Sequence, residues 1–191
     1  MDRILFPVAL ALIMASSLQA DQIPVIKDAT PEKFFGGTDS LRIVQTAKEI
    51  TVFSIVEPDF YDEKDKPHYK NVAALISVDD EKCTPSPKTI SGPDVARVAS
   101  ALTNVRNFGE ELMCDFDPGI ILRFRNSIGI LDVIVCFHCG EMVLYRDTKI
   151  VHRNLKWAEA KNTFFRPAGH AFAAVAKDAF PDDAEISALR L

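Results

Sequence analysis

The clearest pattern along the chain is alternation. Ile120, Leu122 and Phe124 alternate with Ile121, Arg123 and Arg125. After Asn126 to Gly129, Leu131, Val133, Val135 and Phe137 alternate with Asp132, Ile134 and Cys136. Strand side chains point to opposite faces with a period of two, so both runs predict strands. Joined as a hairpin with Phe124 opposite Leu131, they set Leu122 against Val133 and Ile120 against Val135. The other face then sets Arg123 against Asp132, an opposite-charge cross-strand pair. A one-residue slip would put the apolar sets on opposite faces, so the pattern selects the register. A turn around Gly140-Glu141 leads to a third strand, Met142 to Arg146, which would bring Phe137 near Leu144.

Weaker signals surround this hairpin. Leu41, Val44 and Ala47 have helical spacing and predict a helix over Ser40 to Lys48. The β-branched run Ile50 to Val56 predicts a strand. Val72 to Val78 predicts a second strand, antiparallel to the first across the charged loop Pro58 to His68. Asp79 to Ile90 reads as a loop containing Cys83. Ser91-Gly92-Pro93-Asp94 is a helix start, with Ser91 as the cap and Asp94 in the first turn. Val95, Val98, Ala99 and Leu102 form the apolar stripe of that helix, which ends near Asn104. A last helix begins at Arg166-Pro167, buries Ala171, Phe172, Val175, Ala176 and Ala179, and stops at Phe180-Pro181. The order is α-β-β-α-β-β-β-α. It predicts an α+β fold, an antiparallel β-sheet with helices packed on one face.

The N-terminus has a different pattern. Arg3 is followed by an apolar run from Ile4 to Ala15, then by polar Ser16, Ser17 and Gln19 and the small residue Ala20. This is the order of a secretory signal peptide. The run is about a dozen residues, short of the about 20 needed to span a bilayer. The chain therefore divides into a signal peptide over 1–20, a loose leader over 21–37 and one α+β domain over 38–191. The leader assignment rests on Pro24, Pro31 and Gly36-Gly37, with little periodicity between them. No second apolar run suits a transmembrane anchor, so the mature chain is expected to be soluble and exported, periplasmic or secreted.

Composition narrows the classes further. The 191 residues carry a formal charge of −5, 48% are hydrophobic and 26% charged. That is a globular composition, neither disordered nor fibrous. A mildly acidic chain lacks the clustered basic surface that phosphate binding needs, so nucleic acid is not an expected partner.

The four cysteines carry the main candidate chemistry. Cys136-Phe137-His138-Cys139 is a C-x-x-C at the end of a predicted strand. Thiol–disulfide exchange sets the first cysteine at a helix N-terminus, where the dipole stabilises thiolate, and that support is missing here. Zinc could draw on Cys83, Cys114, Cys136 and Cys139, with His138 or His152 as substitutes, but a zinc ribbon shows two paired knuckles and this chain has one. No cofactor is predicted, and zinc stands as the lesser alternative. An even cysteine count in an exported chain favours structural disulfides. Extending the hairpin register places Cys139 near Phe116 and hence near Cys114. That favours Cys114 with Cys139, leaving Cys83 for Cys136.

Other candidates carry less. His68, His138, His152 and His170 are scattered and belong to no H-E-x-x-H. Nor is there a nucleophile elbow, a P-loop or a dinucleotide fingerprint. Asp115 and Asp117 bracket Phe116 in what reads as a solvated turn. Arg123, Arg125, Arg146 and Arg153 offer a basic patch for an anion, or more simply ion pairs with Asp132 on a wet sheet face. Trp157, Phe164 and Phe165 could anchor a partner or cover the core edge.

Three segments carry a resemblance: Cys114-Asp115-Phe116-Asp117-Pro118-Gly119-Ile120 with Arg123-Phe124, then Val135-Cys136-Phe137-His138-Cys139, then Phe180-Pro181-Asp182-Asp183. Together they resemble a group of bacterial exported proteins with a C-F-x-C hairpin and a C-terminal F-P-D-D segment. The resemblance implies a bacterial, exported origin and brings no activity or ligand. The expectation is a non-enzymatic binding or structural role. The alternatives are a hydrolase or thiol oxidoreductase with a non-standard site, or a structural zinc protein.

Overall fold

The computed structural model describes residues 30–55, 76–78, 81–83, 87–110, 119–138, 140–147, 149–156 and 167–189. In chain order its strands are β1 (Glu49–Ser54), β2 (Ile76–Val78), β3 (Glu81–Cys83), β4 (Lys88–Ser91), β5 (Gly109–Glu110), β6 (Ile120–Asn126), β7 (Gly129–Cys136), β8 (Glu141–Arg146) and β9 (Lys149–Lys156). The helices are α1 (Pro31–Phe34), α2 (Thr38–Thr46), α3 (Pro93–Thr103), α4 (Pro167–Ala179) and α5 (Ala184–Ser187), with a single 3₁₀ turn at Val105–Asn107. Seven strands form one antiparallel sheet in the order β4-β1-β6-β7-β8-β9-β5, while β2 and β3 pair separately. The fold is α+β, as the order of elements predicted.

The central hairpin has the register its alternation demands. Ile120 pairs with Val135, Leu122 with Val133, Arg123 with Asp132 and Phe124 with Leu131. The apolar set Ile120, Leu122, Phe124, Leu131, Val133 and Val135 forms one face and is completely buried. On that face pack Leu41 and Val44 of α2, Val98 and Leu102 of α3, and Phe172 and Val175 of α4. Each large apolar side chain taken out of water in this layer contributes roughly 1.5–3 kcal/mol. Helix α4 buries the predicted stripe Ala171, Phe172, Val175, Ala176 and Ala179. It ends at Phe180, whose N–H donates to the Ala176 carbonyl at 2.8 Å before Pro181.

The structure departs from the expectation in six places. First, the leader is folded from Thr30 onward. Phe34 and Phe35 are buried in the helix-side core, edge to face with centroids 5.1 Å apart. Gly36 then lets the chain pass over β9: its φ is +69°, and a Cβ there would collide with Val151 Cγ1.

Second, β1 does not pair with the Ile76–Val78 strand. Its neighbours are β4 and β6, and β2 pairs with β3. The segment expected as a loop over Asp79 to Ile90 supplies β3 and β4, strands of three and four residues. Strands that short are held by their neighbours, and carry too little alternation to be seen in isolation.

Third, Ser91 is the last residue of β4, and Gly92 occupies the N-cap of α3 with no side-chain cap. Asp94 instead forms an ion pair with Arg97 at 2.8 Å. Fourth, a fourth meander strand, β9, follows β8. Fifth, Leu144 lies opposite Val133, because the chain reverses at Cys136, which pairs with Glu141, and Phe137 belongs to the turn. Sixth, the second sheet face is not wet, as the next section describes.

Candidate functional site

The two buried carboxylates, Asp132 and Glu141, lie on the sheet face opposite the helices. In strand order its rows run as follows. One row holds Thr51, Arg123, Asp132 and Tyr145. The next holds Phe53, Ile121, Ile134 and Val143, all buried. Beyond it, Cys136 pairs with Glu141, and Glu141 with Lys156 of β9. Four residues of β7 separate Asp132 from Cys136, about 13 Å at strand rise. An apolar belt thus divides two polar ends.

At the first end Arg123 and Asp132 form a two-pronged pair. Arg123 Nε donates to Asp132 Oδ1 at 2.8 Å and Nη2 donates to Oδ2 at 2.7 Å. The Arg123 guanidinium also stands 5.5 Å from the Phe53 ring centroid, over its π face. The expected pairing of these two residues is present, but on a covered face: Asp132 is buried. Alternation explains the location, because 121, 123 and 134, 132 share a face that the apolar neighbours Phe53 and Ile55 also occupy.

The four arginines do not make one patch. Arg146 lies on the helix-side face, where Nη1 donates to Ser40 Oγ at 3.3 Å and Nε reaches Asp147 Oδ2 at 3.3 Å. Arg123 lies on the other face, and Arg125 is exposed. The Arg153 side chain lies outside the described residues. Arg123 and Arg125 are two positions apart and so in phase, whereas Arg146 pairs with Leu131 and belongs to the opposite face.

At the second end Cys136 and Glu141 are both fully buried. Cys136 is disulfide-bonded. Cys83 is buried on β3 beside Phe53, Ile121 and Ile134. It is not the disulfide partner of Cys136. The physical reason is distance. Cys83 meets the outer side of β1 at Ile55, while Gly119 lies on the inner side. Both β1 and β6 stand between Cys83 and Cys136, about 14 Å at sheet spacing, whereas a disulfide needs Cα atoms within about 7 Å. The same separation, and the oxidation of Cys136, prevent the four cysteines from gathering around one zinc ion.

The geometric basis for joining Cys114 to Cys139 also changes. The ladder does not extend past Cys136, because Gly140 N–H donates to the Cys136 carbonyl at 3.1 Å and closes a turn over Phe137 and His138. Cys114 and Cys139 themselves lie outside the described residues. So do His68, Asp115, Asp117, Trp157, Phe164, Phe165 and the side chain of His152. His138 and His170 are exposed, one on the β7–β8 turn and one on α4. Among the described residues no three His, Cys, Asp or Glu side chains gather as a metal site would, and no helix is long and apolar enough to cross a membrane.

The F-P-D-D segment has a structural use. Pro181 follows the end of α4, and Asp183 caps α5, its Oδ1 accepting from the Glu185 and Ile186 amides at 3.0 Å each. Sequence reading missed Glu141. Its signal is its parity with Val143 and Tyr145, which puts a carboxylate on the face that carries the apolar row Phe53, Ile121, Ile134 and Val143. No protein family, curated protein or solved structure matches the chain.

Proposed function

We propose that the chain is an exported α+β domain with a non-enzymatic binding or structural role, stabilised by a disulfide at the β7–β8 turn. The observation that carries this reading is the oxidised Cys136 in a chain that opens with the order of a signal peptide. Disulfides persist in exported proteins and are rare in the cytosol. The resemblance to bacterial exported proteins with a C-F-x-C hairpin supports the same compartment, periplasmic or secreted.

A structural or binding role is supported by how the fold employs its polar groups. Arg123 and Asp132 neutralise each other, Asn107 Nδ2 donates to the Ala101 carbonyl at 2.8 Å, Arg146 ties β8 to α2 through Ser40, and Asp183 caps α5. These are connections within the scaffold. Cys139, three residues further along the sequence, is the proposed partner of Cys136.

The test is to express the full chain in a bacterium and fractionate it. Intact mass of the exported protein, before and after reduction and alkylation, reports both signal removal and the number of thiols. A shortened chain whose linked peptide joins Cys136 to Cys139 supports the proposal. A full-length cytosolic chain with four alkylated cysteines overturns it. Turnover of a substrate in hydrolase or thiol-oxidoreductase screens overturns the non-enzymatic part.

A further inference from the structure

We draw no further inference here: the strongest candidate, the buried Glu141 carboxylate paired with the oxidised Cys136 at the β7–β8 turn, rests on surroundings, the disulfide partner of Cys136 among them, that lie outside the described residues.

Discussion

Arg123 and Asp132 face each other across β6 and β7 and exchange two parallel hydrogen bonds, 2.8 and 2.7 Å long. The aspartate side chain is 4% exposed and the arginine 20%. Both charges are therefore largely removed from water, and each depends on the other for solvation. Buried pairs of this kind add little net stability but are costly to halve.

Asp132→Ala should accordingly destabilise the chain by about 3 kcal/mol, read as a shift in the urea midpoint at constant slope. In a double-mutant cycle, Arg123→Ala with Asp132→Ala should cost clearly less than the sum of the single changes. Additive losses would mean that the two charges are solvated independently.

Phe35 tests whether residues before Thr38 belong to the domain. Its ring is completely buried next to Phe34, and Phe34 in turn packs on Phe108 at 5.0 Å between centroids. Phe35→Ala should cost roughly 3–5 kcal/mol. A chain begun at residue 38 should lose the same contacts and unfold at markedly lower denaturant. Unchanged stability on truncation would restore the loose-leader reading.

Gly36 has two separable constraints, a left-handed φ and contact with Val151. Gly36→Ala should destabilise by about 1–3 kcal/mol. Adding Val151→Ala should relieve the steric part of the Gly36→Ala penalty and leave the conformational part. Thermal unfolding of the four proteins in the cycle measures the coupling, and a coupling of zero would contradict the close approach.

Asp183 caps a helix of only four residues. Asp183→Ala should cost about 1 kcal/mol, and Asp183→Ser should recover most of it, since a serine oxygen can accept the same amide hydrogens. Amide exchange at Glu185 and Ile186 should quicken in the alanine variant. Exchange that stays slow would show the capping bonds to be dispensable.

The clearest features in the sequence were those whose cause is local. Alternation from Ile120 to Phe137 was enough to give the β6–β7 register, because a shifted register would have exposed half the apolar set. The stripe of α4 and its stop at Phe180-Pro181 follow equally from spacing and from proline chemistry. The cysteines are visible as a group, but no periodic run places Cys83, whose strand of three residues is set by pairing with β2.

By itself, then, the sequence determined the α+β class, the central hairpin and the helix faces, since each depends on periodicity within one segment. Only the tertiary structure decided the rest. It recruited β3, β4 and β5, which are too short to declare themselves and exist by pairing with β2, β1 and β9 respectively. It drew Phe34 and Phe35 into the core, where no periodic run announced them. It placed two strands between Cys83 and Cys136, and it brought Ser54 to the end of α4, across more than a hundred residues of chain. Periodicity states which face a side chain occupies; what lies against that face is set by long-range packing.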